Sequence, residues 1–283
     1  CNSAVTSLPA DTPPEEISKH FTDHIRVVPL VDERGHLVAV ARPGTNEIRI
    51  GNFEIADDKP AFLIAEIGIN HNGSLELAKQ LVDEAIGAGA DCAKFQMRHM
   101  SALYKNAGDP NDVEEDLGSQ YTLDILSRSL LSDDEMFELF DYCRQLGILP
   151  LCTPWDLESV EALEDYGMDG YKVASADLTN HDLLQALAAT HKPIFSSTGM
   201  SMESEIQESA ELLRRMGALF ILLHCNSTYP APFKDVNLNY LERLREIGQC
   251  PVGYSGHERG YAIPLAAVAR GAKVIEKHFT LDR

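Results

Sequence analysis

Two lysines stand inside runs that otherwise read as buried strands: Lys94 in Cys92–Met97 and Lys172 in Gly170–Ser175. A cation in such a run is costly unless it meets an anion or reaches solvent along its stem. Around both lysines, neighbouring runs end in hydroxyls: Thr153, Ser175, Ser197 and Ser255. Ammonium groups with hydroxyl donors in a dry pocket suit a phosphate and a carboxylate held together. Gln96 lies two residues after Lys94 and so shares its face, and Glu66 lies inside the apolar run Phe62–Gly68. Glu66 either pairs with a lysine or is functional. Farther along, His257 and His278 close two adjacent apolar runs, with Glu276 on the same strand face as His278. Two neutral imidazoles there suit a divalent metal ion completed by water or carboxylate, Glu276 being a ligand or a partner of one. His71, His99, His181 and His191 carry no such pattern, and Trp155 is expected to pack.

These residues need a scaffold that brings strand ends together. From residue 61 apolar runs alternate with helical patterns. The strands are expected at 62–68, 92–97, 148–153, 170–175, 193–198, 220–225, 251–255 and 273–280. Helices are expected at 75–88, 133–146, 157–165, 182–189, 202–216, 238–247 and 263–270, with Gly89, Gly147, Gly167, Gly217, Gly248 and Gly271 at their C-caps. Continuous apolar strands separated by helices specify a parallel sheet covered on both faces. The count predicts an α/β fold, a (β/α)₈ TIM barrel lacking its last helix, with the site at the C-terminal strand ends. A doubly wound open sheet is the alternative, but neither GxGxxG nor GxxxxGK[ST] occurs.

Before the barrel, residues 1–18 read as a linker. A hairpin is expected over Ile25–Val40, turning at Glu33-Arg34-Gly35-His36, and a second one over Glu47–Ile55, broken at Gly51-Asn52. The 283 residues carry 44 Asp+Glu against 24 Lys+Arg, a formal charge of −20. Residues 101–170 alone hold 17 acidic side chains against Lys105, Arg128 and Arg144. This balance argues against nucleic acid and anionic membranes as partners, and no run approaches the roughly 18 apolar residues of a membrane span. The cysteines Cys1, Cys92, Cys143, Cys152, Cys225 and Cys250 form no CxxC pair and read as reduced thiols of a cytoplasmic protein. Both ends read as cut from a longer polypeptide.

The segments AEIGINHNG (65–73), KFQ (94–96), TP (153–154), YKVAS (171–175), STGM (197–200), HCNSTYPAP (224–232), GYSGHERG (253–260) and AKVIEKHFTLDR (272–283) follow one another in order. Together they resemble the N-acetylneuraminate (sialic acid) synthase family, whose barrel enzymes condense phosphoenolpyruvate with an acylated amino-hexose. The resemblance covers residues 47–283, leaving 1–46 as a linker plus a segment that resembles the closing half of a cystathionine-β-synthase (CBS) module. It implies that Lys94, Thr153, Lys172, Ser175, Ser197 and Ser255 contact phosphoenolpyruvate. By the same resemblance Glu66, Gln96, Asp177, Ser227 and Tyr229 face the sugar, with Glu66, Lys94, Gln96 and Tyr229 catalytic. His257 and His278 would hold a divalent ion with Glu276 nearby, usually Mn²⁺ in the family, with Mg²⁺ or Co²⁺ as alternatives. The substrate would be N-acetylmannosamine or a 2,4-diacetamido relative, and the full-length protein a homodimer. Asp177, Ser227 and Gly256 stand where members of the family can have Glu, Asn and Asp. The family also continues with a last barrel helix and an antifreeze-like domain. A synthase using a sugar phosphate and a non-catalytic barrel are the competing readings.

Overall fold

A computed structural model describes residues 7–13, 16–17, 19–22, 25, 27–41, 47–100 and 126–281. The chain divides into two compact units, Cys1–Glu47 and Ile48–Arg283. In the first, β1 (Leu8–Pro9), β2 (Val28–Val31) and β3 (Leu37–Ala41) form a sheet in that order, β1 parallel and β3 antiparallel to β2. The expected hairpin is present. Asp32 Oδ1 accepts the backbone N–H groups of Arg34 (2.9 Å) and His36 (2.8 Å), and Gly35 takes φ 77°, a left-handed conformation that glycine adopts without strain. Leu8–Pro9, inside the stretch read as a linker, is paired in register with Leu30 and Val31.

In the second unit a short hairpin, β4 (Ile48–Ile50) and β5 (Phe53–Ile55), precedes eight parallel strands. These are β6 (Phe62–Gly68), β7 (Cys92–Met97), β8 (Leu149–Pro154), β9 (Tyr171–Val173), β10 (Ile194–Ser197), β11 (Phe220–Cys225), β12 (Val252–Gly256) and β13 (Val274–His278). They close into a barrel, β13 returning to pair with β6. The described helices are α1 (Leu75–Gly87), α2 (Asp133–Leu146), α3 (Leu157–Tyr166), α4 (His181–Ala189), α5 (Glu203–Arg215), α6 (Tyr240–Gly248) and α7 (Ala262–Ala269). The expected TIM barrel is what forms.

The helices begin where side chains can satisfy their first N–H groups. Ser132 accepts from Glu135 N–H while the Glu135 carboxylate accepts from Ser132 N–H, a capping box at α2. Gly147 and Gly167 take the left-handed C-cap positions as expected. At α6 the expectation fails: Gly248 is the last helical residue and Gln249 turns left-handed at φ 50°. A Cβ at Gly248 would lie 2.5 Å from Cys250 Sγ and 2.9 Å from Leu222 Cδ1, so this glycine serves helix–strand contact.

Two apolar layers result from the alternation of strand side chains. Outward residues such as Phe95, Tyr171, Val173 and Leu222 join the inner faces of the helices in one cluster. Inward residues Phe62, Ile64, Cys92, Leu149, Leu151, Phe195, Ile221, Leu223 and Val274 form a second, together with Ile48, Ile50 and Ile55 of the hairpin. The hairpin therefore closes the N-terminal end of the barrel. Above this floor the inward positions turn polar: Glu66, Lys94, Gln96, Thr153, Lys172, Ser197, Ser255, Glu276 and His278. One end is sealed with hydrocarbon, and the other carries the chemistry.

Candidate active site

The C-terminal end of the barrel opens into a cavity of about 290 Å³. Glu66, Lys94, Gln96, Thr153, Lys172, Ser175, Ser197, Ser227, Tyr229, Ser255, His257, Glu276 and His278 all line it. Lys94 and Lys172 are each 3% exposed, so neither lysine carries its charge out to solvent. Lys94 Nζ pairs with a Glu66 carboxylate oxygen, donates to Thr153 Oγ1 at 3.2 Å, and lies 3.6 Å from Glu276 Oε1. Lys172 Nζ donates to Ser197 Oγ (2.7 Å) and to the Val173 carbonyl (2.9 Å), and lies 3.6 Å from Glu276 Oε2. Glu276 is thus suspended between the two lysines.

This arrangement sets the proton affinities. Burial raises the pKa of Glu66 and the Lys94 charge only partly offsets it, so Glu66 holds its proton more readily than a free carboxyl. Burial pushes Glu276 the same way, but Lys172 and Lys94 together outweigh it and hold Glu276 below the ordinary range. Lys172 is pulled down by burial, which the Glu276 charge offsets in part. Lys94 suffers the same burial, yet Glu66 and Glu276 overcome it and raise its affinity for the proton. Gln96 links outward: its Nε2 donates to Glu66 Oε1 (3.0 Å) and its Oε1 accepts from Arg98 Nη2 (2.6 Å).

Beside the lysines stand the two histidines, ring centroids 5.2 Å apart. Burial lowers both to about 4, His278 against the pull of Glu276, so both imidazoles are neutral near pH 7 and offer lone pairs. Tyr229 covers them. Its ring stacks on His257 at 4.0 Å, meets His278 edge-on at 5.0 Å, and its hydroxyl bonds His278 Nε2. Among the described residues His257 Nδ1 is buried with no geometric hydrogen bond, Nε2 lies 3.9 Å from the Cys225 sulfur, and the Asn226 backbone stands beside the ring. Two neutral imidazoles fit a borderline divalent ion whose remaining positions are filled by oxygen. Among the described residues no group of three or more His, Cys, Asp or Glu is arranged around one point. Glu276, read as a ligand or a partner of one, has both lysines as ion-pair partners and also lies within electrostatic reach of His257 and His278.

Of the residues expected at the site, Asp177 is the one that does not line the cavity. It ends the 3₁₀ turn Ser175–Asp177, where side chains rotate by about 120° per residue; Ser175 and Ala176 point in while Asp177 does not. Its Oδ1 accepts from Asn180 Nδ2 at 3.4 Å. Trp155, expected to pack, lines the cavity, and the Arg98 guanidinium lies 4.5 Å over its ring. Its position directly after the Thr153-Pro154 strand end was the available signal. Cys92, Cys143, Cys152, Cys225 and Cys250 are buried free thiols; Cys1 and the acidic stretch 101–125 lie outside the described residues. No described helix is long and apolar enough to cross a membrane.

With that geometry in view, comparison with known proteins is specific. The NeuB family model matches residues 81–283. The uncharacterized protein MJ1065 of Methanocaldococcus jannaschii is 43% identical over 239 residues, covering 84% of this chain and 67% of its own. The N,N'-diacetyllegionaminic acid synthase of Campylobacter jejuni is 41% identical over 232 residues, covering 80% of this chain and 69% of its own. The chain thus spans about two thirds of these relatives' length. Among solved structures it resembles the N-acetylneuraminic acid (sialic acid) synthetase of Leptospira borgpetersenii in complex with citrate. There the TM-score is 0.76 at 34% identity, over 84% of this chain and 79% of that one. A family model matched over residues 81–283, relatives at this identity and a solved synthetase of the same fold place the chain in the NeuB family, as an enzyme of the N-acetylneuraminate synthase type.

Proposed function

We propose that the protein condenses phosphoenolpyruvate with an acylated amino-hexose, giving a nonulosonic acid and phosphate. The observation that carries this reading is the pair of buried lysines, each with a hydroxyl partner, opening onto the same cavity as two neutral histidines. Lys94 with Thr153 and Lys172 with Ser197 hold the phosphate and the carboxylate, Ser175 and Ser255 completing the cradle. In a water-poor pocket these fixed charges count for more than they would in solvent. Glu66, Gln96, Ser227 and Tyr229 lie where the sugar enters, N-acetylmannosamine or a 2,4-diacetamido relative.

In the reaction the C3 carbon of phosphoenolpyruvate forms a bond to the aldehyde carbon of the open-chain sugar. Water adds at C2, and the tetrahedral intermediate loses phosphate by C–O cleavage. Glu66, whose proton affinity burial raises, is suited to deliver or accept the proton at the reacting oxygen. His257 and His278 are the residues to hold a divalent ion, Mn²⁺ before Mg²⁺ or Co²⁺, which when bound supplies Lewis-acid polarisation of a carbonyl oxygen. The test is phosphate release by the full-length protein from phosphoenolpyruvate and Mn²⁺ across a panel of acylated amino-hexoses and their phosphates. Release with a non-phosphorylated member is expected; release only with sugar phosphates would move the substrate class, and none with any member would overturn the reading.

A further inference from the structure

The two histidines sit at the tips of neighbouring strands, but the strand ladder does not fix them both. The last residue pair in the β12–β13 register is Gly256 with Lys277. His257 lies one residue past the end of β12, where its own carbonyl accepts a long bond from Ala231 N–H at 3.3 Å. Tyr229 touches both rings from the cavity side, and a second support is needed for the backbone that carries them.

On the outer side of the barrel, facing away from the cavity, the next residue supplies it. Glu258 is 3% exposed, and both of its carboxylate oxygens are engaged. Oε1 accepts from Lys277 Nζ at 2.6 Å, and Oε2 accepts from the Tyr254 hydroxyl at 2.6 Å. Lys277 Nζ also donates to the Glu258 backbone carbonyl. Glu258 directly follows His257, Lys277 directly precedes His278, and Tyr254 belongs to β12 itself. Gly256 gives this cluster its room: a Cβ there would lie 2.8 and 2.9 Å from the two Glu258 oxygens and 2.7 Å from Tyr254 Cε1. A carboxylate this deeply buried is costly unless its bonds are complete, so its geometry is narrowly defined.

We propose that Lys277, Glu258 and Tyr254 form a positioning clamp that sets the spacing and aim of His257 and His278, and through them the affinity of the divalent site. The inference rests on the metal reading given above. The clamp touches neither substrate nor ion and acts only through the backbone of the two histidines. Partners that orient metal-binding side chains typically alter affinity by about 10- to 100-fold when removed.

The experiment is an electron paramagnetic resonance titration with Mn²⁺ alone, on the full-length protein and its folded variants. Glu258→Gln and Lys277→Met are expected to weaken Mn²⁺ binding at least about tenfold. Lys277→Arg, which retains the charge, should fall between them and the parent, and phosphoenolpyruvate affinity measured by calorimetry should stay within about twofold. A merely structural role would lower thermal stability and leave Mn²⁺ affinity in the folded fraction unchanged, which would overturn the clamp. If a single variant does not fold, Glu258→Gln combined with Lys277→Met removes both charges together and is read in the same way. His257→Ala separates the two readings. Mn²⁺ uptake lost there but retained at parental affinity in the clamp variants refutes the clamp alone. Uptake unchanged in His257→Ala, or absent from the parent, refutes the metal site and the clamp with it.

Discussion

Replacing Lys172 by Met removes one of the two buried cations while nearly preserving shape. Its ammonium makes two hydrogen bonds, 2.7 Å to Ser197 Oγ and 2.9 Å to the Val173 carbonyl, and stands 3.6 Å from Glu276. A buried charge-assisted bond to an anionic ligand is worth about 2–3 kcal/mol, so phosphoenolpyruvate should bind roughly 30- to 150-fold more weakly. Glu276 complicates this in a testable way. At 3.6 Å and an effective dielectric near 20, each lysine attracts Glu276 by about 4–5 kcal/mol before the cost of burial. An incoming anion must share the lysines with that carboxylate. Glu276→Gln alone should therefore tighten anion binding, and Lys172→Met with Glu276→Gln should recover part of the loss. Calorimetric titration of parent, both single variants and the double variant gives the coupling directly, expected at about 1 kcal/mol or more. A Lys172→Met affinity within twofold of the parent would refute the assigned role. Strict additivity would refute the shared-lysine argument.

Other expectations concern the scaffold. Gly253→Ala places a Cβ 2.6 Å from the Val274 carbonyl oxygen and 2.5 Å from Leu223 Cδ2, so urea denaturation should show a loss of about 1–3 kcal/mol; an unchanged midpoint would mean that the strands part freely. Ile50, 1% exposed in the barrel floor, should cost about 2–5 kcal/mol on truncation to Ala, and a smaller loss would show that the hairpin contributes little to closure. Burial pulls His99 down, but Asp133 and Asp156 outweigh it and raise its pKa above the ordinary value. Its contribution is then complete below the unfolded value near 6.5 and fades as pH rises through the higher folded one. The melting deficit of His99→Gln should be larger near pH 5.5 than near pH 9, and an equal deficit would remove the ionic explanation.

Much of this site was legible because a strand has a period of two and a barrel has one open end. Inward residues such as Phe195 and Ser197, or Leu151 and Thr153, pass from apolar to polar along the strand, and that change marks the cavity before any coordinates exist. Lys94, Lys172 and the two histidines follow from it. Asp177 stands apart from the cavity lining because a 3₁₀ turn rotates side chains differently from a strand. The nearness of Glu276 to His278 is visible in the sequence, whereas its position between two lysines from other strands is not. Trp155 and Arg98 meet only in space. Gly248 looked like a cap because glycine after a helical pattern usually is one; the contact with Leu222 that demands it belongs to tertiary packing.

The balance of two lysines against two glutamates has a kinetic consequence. Because each lysine already faces a carboxylate, these four side chains together project little field into solvent, while the chain as a whole carries −20. A divalent anion approaching it meets net repulsion and feels the lysines only once it is inside. Its association rate should therefore rise with added salt as the repulsion is screened, opposite to an enzyme that steers its substrate electrostatically. Selection for the anion then rests on the dissociation step, where it takes over contacts that Glu276 held.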